Sequence, residues 1–278
     1  MSVRRRKKAG EGSRLLPVYA YFYLAFLYVP VLFLPLFSFN DSRFIAFPLE
    51  GFTLRWYEEM LADSSLLASL WASIKLGIGV SLFSTILGLL GAKALTRYKL
   101  PGKGAVTAAI MLPLFIPEIM LGIGLLILLT VMDFELSLLS VGVGHLLICV
   151  PFAMAVLMSR LEGFDKSLEE ASLDLGESAW MTFWRVTFPL VLPGIVSSLL
   201  LTFIVSFDEF LIAFFLSGTE PTLPVFMWSQ LRFPAKLPVV LALGALILMV
   251  SCVLVVLAEA MRGRGIGDDA KRKVGVHG

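Results

Sequence analysis

Three carboxylates and one imidazole sit inside runs of apolar residues in this chain: Glu118, Asp208, Glu209 and His145. An ionisable side chain in such a run costs free energy unless it is paired or wetted, so each marks either a polar path or an internal tie. Along a water-poor path a carboxylate would stabilise a passing ammonium group. The plainer alternative is pairing with Lys75, with His145 or with a helix of a partner subunit. Asp208 and Glu209 are neighbours, about 100° apart on a helix, and cannot both face one lumen squarely. The helical wheel favours Glu209, which shares a face with Ser198, Thr202, Ser206 and Ala213; Asp208 shares one with Leu201, Ile204, Ile212 and Phe215. His145 follows Gly142 and Gly144. It could titrate near neutrality, but a hydrogen-bonded structural role is the expectation.

The second constellation lies in the longest charged stretch between apolar runs, residues 159–189. Asp165 to Leu175 reads as a short helix, with Ser167 and Glu170 at capping-box spacing and Gly176 as a left-handed stop. Leu168, Ala171, Ser172 and Leu175 fall on one face, leaving Lys166, Glu169, Glu170 and Asp174 to water. A second short helix, about Ser178 to Arg185, carries Trp180, Phe183 and Trp184 and should end before Pro189. The aromatic trio suits a partner surface and a membrane-interface belt equally well.

These groups are positioned by a very apolar chain. Of its 278 residues 58% are hydrophobic, and the mean hydropathy is +0.88. Soluble domains rarely exceed about half apolar residues, so the composition is that of an integral membrane protein. The hydropathy is blocked into six runs, about 18–39, 66–95, 105–132, 136–158, 190–216 and 237–261, each long enough for a ~30 Å hydrocarbon core. Pro30 and Pro35 are expected to kink the first and Pro151 the fourth. Ser81, Ser84, Gly88 and Ala92 give the second run a small-residue ridge for close helix packing. A short interfacial helix is expected near Leu54–Leu61, with its Trp and Tyr at headgroup level. Residues 217–236 read as an external loop.

Of the 23 Lys and Arg, 18 fall in the basic tail at residues 1–17, the first inner turn, the 159–189 segment and the tail at 262–278. The other five are Arg43, Arg55, Lys75, Arg232 and Lys236. The positive-inside rule then places both termini and the 159–189 loop in the cytoplasm. A net charge of +2 implies no nucleic-acid partner. Cys149 and Cys252 lie in apolar runs and read as packed thiols, not a disulfide or metal site. No phosphate-binding glycine loop, His-Glu-x-x-His or Gly-x-Ser-x-Gly is present, so the chain is not expected to be an enzyme.

The loop's spacing resembles the "EAA" motif of inner-membrane permeases in binding-protein-dependent ABC importers. Glu170, Ala171, Gly176 and Pro189 match in position, with Ser172, Val186 and Phe188 as mild departures. Ser206-Phe207-Asp208, with Ser217-Gly218 and Leu223-Pro224 downstream, resembles the polyamine (spermidine/putrescine) type, as does Gly51-Phe52-Thr53 with Trp56-Tyr57. The chain looks like the second permease subunit of such a system.

The resemblance implies an all-α membrane protein with six transmembrane helices in the MetI-like fold. It also implies a heterodimer with a homologous permease, two ATPase subunits inside, and a periplasmic or extracellular binding protein outside. This chain would bind no cofactor; ATP and Mg²⁺ would belong to the partner ATPase. Leu168, Glu169, Glu170, Ala171, Leu175, Gly176 and Pro189 would form the coupling set, and Glu118, Asp208 and Glu209 the candidate path. On the resemblance Asp208 is the carboxylate of choice, against the wheel. An importer for another small solute (an aminophosphonate, ferric iron or thiamine) is the alternative; an ion-coupled secondary transporter has no reason to carry the EAA spacing.

Overall fold

A computed structural model describes residues 15–250 together with 252 and 253. The basic tail at 1–14, the end of the last apolar run and the C-terminal tail lie outside the described residues. In chain order the α-helices are α1 (Leu15–Ser38), α2 (Arg55–Ala62), α3 (Ser64–Arg97), α4 (Lys103–Met111), α5 (Glu118–Val131), α6 (Leu138–Glu162), α7 (Ser167–Asp174), α8 (Ala179–Thr182), α9 (Phe188–Asp208), α10 (Leu211–Leu216) and α11 (Leu223–Gln230). A further apolar helix covers Pro234–Val250. Among the described residues there is no named strand, only an isolated bridge between Asn40 and Phe52.

The described residues divide into two units, 15–63 with those from 230 onward, and 64–229. In the first, α1 runs unbroken through Pro30 and Pro35, apolar and largely exposed. The expected interfacial helix is α2, but its Trp56 is buried, not at a headgroup surface. The indole N–H donates to the Asn40 carbonyl at 2.8 Å, and the Tyr57 hydroxyl lies 2.7 Å from that of Ser38. A buried indole needs such a partner for its N–H, and here it stitches α2 to the end of α1. Cys252, expected to be packed, is exposed.

The second unit is built on α3, α6 and α9, which pack on one another, with α10 against α5 and α6. The small-residue ridge of α3 forms as expected: Ser81, Ser84, Gly88 and Ala92 are all buried. At Gly88 a Cβ atom would stand 2.6 Å from the Ala153 Cβ, so only glycine allows α3 this close to α6. On one side of this crossing Leu76, Val80, Val141, Ile148, Ile212 and Leu216 form an apolar cluster; on the other, toward the 159–189 loop, Ala92, Leu95, Met154, Leu157, Leu161 and Val191 form a second. A polar seam runs between the helices. Thr85 and Ser198 hydroxyls are 3.0 Å apart, and the Cys149 thiol donates to the Thr202 carbonyl at 3.7 Å.

Two apolar runs expected as continuous spans are broken. The 105–132 run becomes α4, a tight turn at Leu112–Phe115, and α5, bent by 100°. Pro117 pushes Ile116 out of the helical region to φ −87°, ψ 131°, and the helix restarts at Glu118. The 190–216 run breaks at Glu209, which is extended (φ −66°, ψ 119°), separating α9 from α10. The 217–236 loop is partly helical, containing α11. Four helices among the described residues are long and apolar enough to cross a membrane, or five if the bent pair is one span.

Candidate coupling loop and helix-break carboxylates

The 159–189 segment begins in the last turn of α6, which runs on to Glu162. The start of α7 differs from expectation: the Ser167–Glu170 capping box does not form. Instead the Asp165 carboxylate accepts the Ser167 N–H at 3.0 Å, and the Ser167 amide and hydroxyl together hold that carboxyl below its usual range. An aspartate two residues upstream thus does the capping work, and Glu170 is left exposed. The end of α7 is as expected. Gly176 has φ +90°, its N–H donates to the Leu173 carbonyl at 2.9 Å, and Glu177 N–H reaches the Ser172 carbonyl at 3.2 Å. That pair of bonds is the Schellman stop.

The outer face of α7 presents Leu168 at 48% exposure and Leu175 at 86%, beside an exposed Ala171. Ser172, expected on that face, turns inward, its hydroxyl 3.0 Å from that of Thr182 in α8. Glu169, expected to face water, is also inward: its side chain is only 14% exposed. One carboxylate oxygen lies 2.7 Å from Arg97 Nε and the other accepts the Thr187 hydroxyl at 2.5 Å. Spacing within the loop could not show this, because Arg97 comes from the end of α3, 72 residues upstream. Lys93, Arg97, Lys166, Glu169, Glu170 and Phe183 help line a groove of about 220 Å³ beside α7.

Pro189 does not end the second short helix. The chain continues from α8 through a π-helical turn, Phe183–Thr187, into α9, and the Phe188 N–H bonds five residues back to Phe183. The wider turn shifts the register so that Pro189 falls in the first turn of α9, where its missing N–H is harmless. Trp180, Phe183, Trp184 and Phe188 form an aromatic cluster with ring centroids 4.8–6.2 Å apart, and the Lys93 ammonium sits 4.5 Å from the Phe183 ring.

The candidate path residues sit at the two helix breaks. Glu118 is exposed at the first position of α5, not mid-helix as the sequence suggested. Asp208 is the last residue of α9 and is exposed. Glu209 is buried and accepts the Ile212 N–H at 2.8 Å, capping the start of α10. α10 packs on α5, which brings the two breaks into one neighbourhood. The wheel face shared by Ser198, Thr202 and Ser206 points into the chain's own core, where all three are buried. His145 is buried with Nδ1 2.8 Å from the Ser206 hydroxyl, the hydrogen-bonded arrangement expected.

The family model described as "Binding-protein-dependent transport system inner membrane component" matches residues 83–264. The spermidine/putrescine transport system permease protein PotC of Shigella flexneri is 31% identical over 265 residues, covering 94% of this chain and 98% of that protein. The putrescine transport system permease protein PotI of Escherichia coli (strain K12) is 32% identical over 231 residues, covering 80% and 82%. Among solved structures, a bacterial ABC transporter involved in import of the acidic polysaccharide alginate matches with a TM-score of 0.64 at 17% identity, covering 92% of this chain and 98% of that one. The alginate transporter in complex with an alginate pentasaccharide-bound periplasmic protein matches with a TM-score of 0.69 at 18% identity, covering 89% and 91%.

Proposed function

From the chain's membership of the family of binding-protein-dependent transport system inner membrane components, which makes it a permease subunit of an ABC importer, we propose that it passes a polyamine and couples to a separate cytoplasmic ATPase through α7. The substrate reading is carried by the break after Asp208. An exposed carboxylate there stands at the C-terminal end of a 21-residue helix, where the macrodipole is negative, so charge and dipole both favour a cation. Glu118 at the neighbouring break adds a second exposed carboxylate. The names of the relatives point the same way. Glu209, satisfied by the α10 amide, serves the break itself and not the solute.

In the proposed arrangement the chain crosses the inner membrane six times with both termini inside. The bent α4–α5 pair is one span and Pro234–Val250 begins the last. A homologous permease completes the path, two ATPase subunits bind ATP and Mg²⁺, and a periplasmic binding protein delivers the solute. Leu168, Ala171 and Leu175 form the apolar face offered to the ATPase, with Glu170 beside it.

The test is uptake by proteoliposomes holding the complete complex and its binding protein. Labelled putrescine or spermidine should accumulate in an ATP-dependent way. Accumulation of a neutral or anionic solute with no polyamine uptake would refute the substrate reading.

A further inference from the structure

We propose that Arg97 is the positioning residue that ties movement of the coupling helix to the transmembrane helix ends, with Glu169 as its counterpart. This rests on reading α7 as the ATPase-docking helix.

Arg97 is the last residue of α3, with its side chain 8% exposed. Its guanidinium meets α7, α6 and the link between them at once. Nε lies 2.7 Å from Glu169 on α7, a terminal nitrogen donates to the Leu161 carbonyl near the end of α6 at 3.0 Å, and the plane sits 4.5 Å from the Phe164 ring. The second oxygen of Glu169 takes the Thr187 hydroxyl at the threshold of α9. One ion pair therefore contacts the ends of α3, α6 and α9, the same three helices that pack together to form this unit.

Both oxygens of Glu169 are engaged and little of the side chain is exposed, so it is not offered to a partner. The other ion pair of the loop, Glu177 with Arg185, is different in kind. It is local to the loop and its arginine is 62% exposed, the sort of pair that contributes little. The planar, many-donor guanidinium is what the Arg97 position requires; a lysine ammonium could not serve a carboxylate, a carbonyl and a ring together. When α7 is pushed or pulled, Arg97 must follow or the pair must break. The π-turn that ends at Thr187 supplies a helix segment with a changed hydrogen-bond register at that point.

The experiment is a double-mutant cycle in the purified complex. Arg97→Gln and Glu169→Gln should each keep the ATPase subunits bound but cut the stimulation of ATP hydrolysis by loaded binding protein about tenfold, and the double variant should be no worse than either single one. Thr187→Val keeps the side-chain shape, so it remains informative should the charge variants fold poorly. Losing one hydrogen bond there should cost about fivefold in the same stimulation. Arg97→Lys should not rescue. Single losses that multiply in the double variant, or a Thr187→Val protein stimulated like the wild type, would overturn the tie. Leu175→Asp checks the docking reading separately. It should release the ATPase; retention would refute docking by α7, whereas release alongside a multiplicative cycle would refute only the role of Arg97 and Glu169.

Discussion

Gly176 is a position of the proposed coupling loop that a single substitution should disturb, and the structure isolates the cause. At φ +90° the residue lies in a region that L side chains rarely adopt, and no heavy atom stands within 4 Å of where a Cβ would be. The penalty for a side chain is therefore conformational and owes nothing to crowding within the chain. For an unbranched residue it is about 1–2 kcal/mol, and a β-branched residue is worse placed. Since 1.4 kcal/mol is tenfold, that is roughly a 5- to 30-fold loss in the population holding the Schellman turn. The turn fixes where the chain leaves α7, so ATPase binding should fall in the order Gly, Asn, Ala, Val, with Asn tolerated because it visits the left-handed region. The assay is co-purification of the ATPase subunits with the reconstituted complex, together with stimulation of ATP hydrolysis by loaded binding protein. Gly176→Val should lose both while still inserting in the membrane. Wild-type behaviour of the valine variant would refute the coupling role. An asparagine variant as poor as valine would refute the backbone argument, leaving side-chain size at the partner surface as the cause.

The two carboxylates at the α9–α10 break should separate cleanly. Asp208→Asn should lower polyamine uptake several-fold with normal assembly, while Glu209→Ala should lower complex stability by about 1 kcal/mol through the lost cap; the reverse assignment in uptake and melting assays would overturn this. Glu170→Ala should leave α7 intact, because no cap depends on it, and reduce only ATPase stimulation; loss of membrane-inserted protein would contradict that. Gly88→Leu should destabilise the α3–α6 crossing by about 1–3 kcal/mol, read as a lower melting midpoint of the purified complex. Cysteines placed in residues 40–62 and 217–236 should label from outside in sealed right-side-out vesicles and those in 161–184 should not; labelling of the latter would refute the proposed orientation.

What the sequence made legible was whatever depends on residues close together in the chain. The Gly176 stop, the α3 ridge and the helical character of the runs all follow from local spacing and composition. The start of α7 was legible in part. Ser167 and Glu170 have the right spacing for a capping box, but Asp165 reaches the Ser167 amide first, and one amide cannot serve two designs. Pro117 was visible, yet a proline inside a long apolar run is compatible with either a kink or a break, and Ile116 takes the break. At Glu209 there was no glycine or proline to announce an interruption; the carboxylate makes its own by satisfying the Ile212 amide.

The inward turn of Glu169 was beyond local reasoning for a different reason. On a wheel it belongs with the wet residues, and the loop's own spacing offers Lys166, three residues before it, as the nearer cation. Its partners are Arg97 and Thr187, brought to it by the packing of α3 against α6 and of α9 against both. The same packing is the reason the proposed path uses Asp208 and not Glu209. The wheel correctly grouped Glu209 with Ser198, Thr202 and Ser206, but that polar face lines the chain's own interior. A polar stripe on a membrane helix is evidence of a hydrated path only when no neighbouring helix uses it. Here α3 and α6 do use it: Thr85 meets Ser198, His145 meets Ser206 and Cys149 meets the Thr202 carbonyl. Under the proposed function, the carboxylate left for a solute is then Asp208 on the less polar face, at the end of a helix whose dipole favours a cation.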